Sequence, residues 1–112
     1  MLIAIDYDET YTRDPGTWNS VILLLKRLGH RVVCVTSRSN THDNRTALGN
    51  ILPLDIHVIF CNYNAKAEMT RKAGYHVDIW IDDNPYTIDP DGKYTSEETK
   101  QRFNEWKEKD NQ

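Results

Sequence analysis

Four aspartates in this chain fall directly after short apolar runs. Asp6 and Asp8 follow Leu2 to Ile5, and Asp82 and Asp83 follow Val77 to Ile81. Carboxylates that meet without a counter-charge repel one another and raise one another's pKa. A divalent cation relieves that repulsion, and an oxygen-only set with neither Cys nor His favours magnesium over zinc. A single aspartate after a strand is an ordinary cap or turn former. Four at two strand ends, with hydroxyls and a lysine ordered around them, make Asp6, Asp8, Asp82 and Asp83 candidate metal ligands.

The groups suited to an anion lie between these pairs. Thr36 and Ser37 follow another apolar run and offer hydroxyls and loop N–H groups. Arg38 beside them either reaches a second phosphate or faces solvent. Lys66 sits in the first turn of a predicted helix, where the positive end of the dipole disfavours a cation by about a few tenths of a kcal/mol. A nearby carboxylate or phosphoryl group would compensate. Lys72, in the last turn of that helix, stands where the dipole favours it and calls for no function.

Leu2–Ile5, Arg31–Val35, Ile56–Phe60 and Val77–Ile81 read as the strands that must position these residues. Between the first two, Asp14-Pro15 opens a helix that Gly29 stops, with Trp18, Val21, Ile22, Leu25 and Leu28 as its apolar stripe and Leu23 turned away. A weaker helix carries Ala47, Leu48, Ile51 and Leu52 up to Pro53. A third, capped by Asn64 and stopped by Gly74, puts Ala65, Met69 and Ala73 on one face. Strands alternating with helices argue for one α/β domain, Rossmann-like and three-layered (α/β/α), with a mainly parallel sheet. In such sheets ligands bind beyond the carboxyl ends of the strands, where the acids fall. After the turn cluster Asp89-Pro90-Asp91-Gly92, Thr95 and Glu98 have capping-box spacing. They open a final amphipathic helix to about Lys109, with Thr99, Phe103 and Trp106 on one side. Two aromatics on a polar helix need a surface to cover: the parent domain, or a second copy of the chain in a homo-oligomer.

The 112 residues, 38% hydrophobic and 28% charged, suit one soluble globular domain and leave no room for a second. With 14 basic against 17 acidic side chains the net charge is −3, which lacks the positive field of a non-specific nucleic-acid or membrane binder. The longest apolar run, Val21 to Leu25, falls far short of the roughly 20 residues a membrane span needs. No basic region precedes Asp6, unlike a secretory leader. Cys34 and Cys61 have no neighbour at metal-ligand spacing and read as buried free thiols, so a reducing, cytoplasmic setting is expected. His30, His42, His57 and His76 are scattered and carry no ligand spacing. Tyr7, Tyr11, Tyr63 and Tyr86, all near strand ends, are packing residues first and platforms for a base second.

Asp6-x-Asp8-x-Thr10 after one strand, Thr36 after a second, Lys66, and Asp82-Asp83 after a fourth together resemble the haloacid dehalogenase superfamily. The four motifs occur in that family's order, over roughly residues 1 to 86. The resemblance implies a phosphoryl-transfer site. Asp6 would be the nucleophile that forms an aspartyl-phosphate. Asp8 would be the general acid and base, with its main-chain carbonyl on magnesium. Thr36 would hydrogen-bond the phosphoryl oxygens, Lys66 would neutralise nucleophile and phosphoryl group, and Asp82 would ligate the metal with Asp83 at or just outside its shell. The second aspartate of the first motif favours a phosphatase over other chemistries of the family.

Larger members of that superfamily close a cap domain over the substrate. Here the interval Thr10–Asp14 is too short for one, and Ser37–Ala65 is filled by one helix, one strand and their loops. A capless form is expected, open to a phosphorylated substrate such as a nucleotide or a nucleic-acid end, with Thr36, Ser37, Arg38 and Lys66 as its contacts. The alternative is a module that binds a phosphorylated nucleotide or signal molecule without turning it over. A receiver-like phosphoacceptor shares the residue types but places the acidic pair first, the reverse of the order here. Scaffolding through the Phe103/Trp106 helix is compatible with any of these.

Overall fold

A computed structural model of the chain describes residues 1–53 and 55–110. Four strands, β1 (Leu2–Ile5), β2 (Arg31–Thr36), β3 (His57–Phe60) and β4 (Ile79–Ile81), form an all-parallel sheet in the order β3-β2-β1-β4. Between them lie α1 (Pro15–Arg27), α2 (His42–Gly49) and α3 (Lys66–Lys72), followed by α4 (Pro85–Ile88) and α5 (Glu97–Asp110). This is the α/β, Rossmann-like domain expected from the alternation of elements, and no cap domain interrupts it among the described residues. No helix there is long and apolar enough to cross a membrane.

The strands alternate sides, as a sheet covered on both faces requires. Ile3, Ile5, Val32 and Cys34 meet Ile22, Leu48 and Leu52 from the α1 and α2 side. Leu2, Ala4, Val33 and Val35 face the other way, where Met69 of α3, Tyr75 and Trp80 pack. The strand order reverses at β1: α1 leads from it to β2, while α3 delivers the chain to β4 on the opposite side. Such a reversal opens a crevice at the carboxyl ends of the two strands.

Helix α1 begins as the sequence indicates, with Asp14 accepting the Thr17 N–H and Pro15 at the first position. Gly29, at φ +87°, stops it: its N–H donates to the Lys26 carbonyl and that of His30 to the Leu25 carbonyl. That left-handed turn sends the chain into β2 before Leu28 can reach the core, so Leu28 is 65% exposed rather than part of the buried stripe. Ile51 likewise lies past the end of α2 and is half exposed. Helix α3 starts at Lys66 with no side-chain cap, because Asn64 belongs to a turn in which its N–H donates to the Cys61 carbonyl. Its buried face is Lys66, Met69 and Thr70, while Ala73 is exposed. Strand β4 begins at Ile79, two residues later than the apolar run suggests, because the Leu2 N–H donates to the Asp78 carboxylate at 2.7 Å. The capping box of α5 falls one residue later than expected. The Ser96 N–H donates to Thr99 Oγ1 at 2.9 Å and the Thr99 N–H returns to Ser96 Oγ at 3.3 Å. Cys34 and Cys61 are free and buried.

Helix α5 crosses the carboxyl edge of the sheet. Its stripe Thr99, Phe103, Trp106 and Asp110 runs at helical spacing along one side. Asn84 Nδ2, just after β4, donates to the Thr99 carbonyl at 2.8 Å. Tyr86 packs on Phe103 with ring centroids 5.6 Å apart. At the other end Tyr63, just after β3, meets Trp106 at 6.0 Å and donates its hydroxyl to Asp110. The chain's own loops therefore cover Phe103 and part of Trp106. Tyr7 and Tyr11 instead stack on each other in the core.

Candidate functional site

The turn that ends β1 folds back tightly. The Tyr11 N–H donates to the Asp6 carbonyl at 3.2 Å and that of Thr12 to the Tyr7 carbonyl at 3.1 Å. Glu9 within this turn takes φ +63°, a left-handed backbone that costs a non-glycine residue about 1–2 kcal/mol. The Trp18 indole N–H donates to the Thr10 carbonyl at 3.0 Å and ties the turn to α1. The Asp6 N–H donates to the Ile81 carbonyl at 2.9 Å, which extends the ladder by one step and sets Asp6 beside Asp82.

Lys66 reaches both carboxylates. Its Nζ donates to Asp6 Oδ1 at 2.7 Å and to Asp82 Oδ2 at 2.6 Å. The lysine side chain is 1% exposed, and those of Asp6 and Asp82 are 8% and 2% exposed. The Thr10 hydroxyl lies 3.1 Å from Asp6 Oδ2 and 3.2 Å from Asp83 Oδ1, and accepts the Asp83 N–H at 3.1 Å. Asp82 Oδ1 accepts the Asn84 N–H at 3.0 Å, a local bond that adds to the long-range ones from Thr10 and Lys66 in fixing the exit loop of β4.

Burial pushes the Asp6 carboxyl well above the ordinary carboxylate range; Lys66 pulls it back and the Asp82 charge adds to the rise. Burial raises Asp82 in the same way against the opposing pull of Lys66. Burial disfavours the Lys66 ammonium, yet the two carboxylates outweigh it and hold the lysine above its usual value. Three carboxylates, Asp6, Asp82 and Asp83, place ligand oxygens within 4.8 Å of one another and could hold a metal ion. Set against a single ammonium they leave two negative charges, the complement of a divalent cation. The all-oxygen donor set suits a hard cation.

The Asp8 carboxylate stands outside that group. Arg38 grips both of its oxygens, with Nε 2.9 Å from Oδ2 and Nη2 2.8 Å from Oδ1, the two side chains each about one-fifth exposed. Arg38 therefore neither faces open solvent nor stands free for a second phosphate. Its third arm donates to Asn44 in the first turn of α2 at 3.1 Å, and its guanidinium lies 5.4 Å from the Tyr7 ring centre. The hydrogen bonds to Asp8, against the cost of burial, raise the Arg38 pKa further.

A cleft enclosing about 580 Å³, its open mouth included, lies over these groups. Asp6, Asp8, Ser37, Lys66, Asp82 and Asp83 form its floor and sides. Thr36 is fully buried beneath, its hydroxyl accepting the Arg38 N–H at 3.2 Å, and is not among the residues lining the cleft. Arg102, Phe103 and Trp106 of α5 line it as well. Sequence reasoning assigned no site role to these three or to Thr10. Thr10 was signalled by its place in the Asp6-x-Asp8-x-Thr10 motif. Phe103 and Trp106 were signalled only as an apolar stripe in want of a surface. Compared with family models, with curated proteins and with solved structures, the chain matches none of them.

Proposed function

We propose that the protein is a magnesium-dependent phosphatase of the haloacid dehalogenase type, acting on a nucleotide or another phosphomonoester. The observation that carries this reading is the placement of Lys66, buried between Asp6 and Asp82 although 60 and 16 residues separate it from them. A carboxylate nucleophile can approach an anionic phosphoryl group only where positive charge cancels their repulsion. Bound at Asp6, Asp82 and Asp83, magnesium would supply the second part of that cancellation and hold a phosphoryl oxygen.

In this reading an oxygen of Asp6 attacks phosphorus and the P–O bond to the substrate's alcohol breaks. Asp8 gives the departing oxygen its proton. Water then attacks the phosphorus of the aspartyl-phosphate, Asp8 takes the proton, and inorganic phosphate leaves with Asp6 restored. Lys66 stays protonated throughout and neutralises Asp6 and the phosphoryl group, and Ser37 offers a hydroxyl to the phosphoryl oxygens.

The test is phosphate release with and without Mg²⁺ over nucleotides, sugar phosphates, phosphopeptides and DNA ends. Acid-quenched protein is digested to find the phosphoryl group on the peptide carrying Asp6. Asp6→Asn should abolish release, and persistent turnover by that variant removes Asp6 as nucleophile.

One observation favours a second reading, a module that binds a phosphorylated nucleotide or signal molecule without turnover. Both oxygens of Asp8 are engaged by Arg38, so proton donation requires the guanidinium to release one of them. Recovery of every phosphate ester unchanged after long incubation, with measurable binding, would support that reading.

A further inference from the structure

We propose that α5 supplies the seat for the substrate's leaving group, with Trp106 as the specificity-determining residue. The site would then prefer phosphomonoesters whose alcohol carries a flat aromatic ring. This inference rests on the phosphatase reading for the position of the phosphoryl group, and on α5 alone for the rest of the substrate.

The lining of the cleft is mixed in chemistry. Asp6, Lys66, Asp82 and Asp83 make a floor suited to a cation and a phosphoryl group and to nothing apolar. Phe103 and Trp106 supply its apolar wall. An ester bound with its phosphorus at Asp6 must project its alcohol away from the carboxylate floor, toward that wall or out of the mouth. Trp106 is held ready for contact. Its ring lies 6.0 Å from Phe103 at an interplanar angle of 29° and 6.0 Å from Tyr63 at 58°. Tyr63 is itself tied to Asp110 on the same helix and lies under Lys107, whose Nζ is 5.1 Å from its ring centre. Phe103 is almost fully buried and serves as backing, whereas Trp106 is only half-buried and keeps surface for a ligand. An indole fixed by neighbours on two sides loses little freedom when a ring stacks on it, so the contact contributes most of its value to binding.

Arg102 adds the matching charge. It is exposed at the mouth, with Nη2 3.4 Å from the Asp83 carbonyl, and leaves donors for an anionic or polar group on the entering molecule. The site so described accepts aryl phosphates and nucleoside monophosphates through one shared feature, a planar ring joined to a phosphate. It offers an alkyl phosphate no partner for the wall.

The protein with Mg²⁺ is assayed on phenyl phosphate, nucleoside 5′-monophosphates and glycerol phosphate. Trp106→Leu keeps apolar bulk against Phe103 and Tyr63, and Trp106→Phe keeps a ring. Ring esters should be preferred by the natural protein. Trp106→Leu should lower their kcat/KM by about 5- to 150-fold, the range that loss of a stacked ring produces. Glycerol phosphate should lose several-fold less than the ring esters, and Trp106→Phe should retain most of the preference. The ratio of phenyl phosphate to nucleotide then tells which source of the ring the site serves.

Binding of benzylphosphonate and of methylphosphonate, neither of which can be hydrolysed, is followed by titration calorimetry as a readout free of turnover. Absence of turnover together with ring-dependent phosphonate binding that Trp106→Leu removes would overturn the phosphatase and keep the seat. Turnover with equal kcat/KM for ring and alkyl esters would overturn the seat and keep the phosphatase. A ring preference that survives Trp106→Leu would overturn the assignment to Trp106.

Discussion

Replacing Lys66 by methionine separates charge balance from mere packing at the centre of the site. The side chain is 1% exposed and its ammonium contacts two carboxylates at 2.7 and 2.6 Å. At an effective dielectric of 20 each contact has a gross attraction of about 6 kcal/mol, most of it offset by the cost of burying the charges. Methionine preserves the apolar stem and removes only the ammonium, leaving Asp6 and Asp82 buried with no cation. Breaking a buried pair in this way costs about 3–5 kcal/mol. A domain of this size has about 5–15 kcal/mol in all, so Lys66→Met should be folded but marginal in metal-free buffer.

Asp6→Asn should behave in the opposite way. It leaves Lys66 paired with Asp82 alone, one charge on each side, and removes a carboxylate that burial disfavours. Its cost in metal-free buffer should be within about 1 kcal/mol and can be a gain, as removal of uncompensated buried charge allows. The pH dependence has a definite sign. Because both folded-state values lie above the unfolded carboxylate value of 3.8, the folded protein binds more protons than the unfolded chain between the two. Their contribution is in full force below 3.8 and is lost as pH rises through the raised folded values, so metal-free protein should soften from 3.8 upward until both folded carboxyls are ionised. Urea denaturation of the three proteins at several pH values, with EDTA present, measures all of this. If Asp6→Asn is destabilised as much as Lys66→Met at neutral pH, the account of a lysine outnumbered by carboxylates is wrong.

Magnesium at about 100 times its Kd should stabilise the natural protein by about 2.7 kcal/mol, read as a rise in Tm, and Asp83→Asn should cut that rise; equal rises in both proteins would remove the three-carboxylate group as the cation site. Burial pushes the Cys61 thiol up to about 11 and Cys34 higher still, so iodoacetamide at mildly alkaline pH should label neither in the native protein and both in denaturant, as counted by mass spectrometry. Gly29→Ala should lower stability by about 1 kcal/mol, because φ is +87° there and no atom lies within reach of the added methyl group, so the cost is purely conformational; an unchanged urea midpoint would contradict it.

Much of the fold was legible because a parallel sheet buried on both faces leaves little freedom. Leu2–Ile5 and Arg31–Val35 admit no other arrangement once helices must cover both sides, and the acids that follow β1 and β4 fall at the strand-order reversal. Lys66 was legible as an anomaly of charge: an ammonium placed against a helix dipole, answered here by Asp6 and Asp82. Element ends were less legible, since they depend on single hydrogen bonds. A left-handed Gly29 removes Leu28 from the core, and Asp78 holds the Leu2 amide ahead of β4. The pairing of Asp8 with Arg38 depends on where α2's first turn places Asn44, a relation that no local pattern encodes.

The role of α5 was the least legible, for a reason that belongs to amphipathic helices generally. A stripe such as Thr99, Phe103 and Trp106 states that a surface must be covered but not which one, because any apolar face answers the same need. Selection among surfaces comes from the polar ends of the stripe. Asn84 holds the Thr99 carbonyl at one end and Tyr63 holds Asp110 at the other. Both anchors sit on loops that leave the carboxyl ends of strands, β4 and β3, so a helix held by both must cross the edge where the carboxylates gather. The chain thus builds one wall of its own cleft from a segment that carries none of the acids, hydroxyls or lysine of the floor. In that division of labour the loops after β1 and β4, with Lys66 at the start of α3, fix the chemistry, and α5 is left to govern what the chemistry acts on.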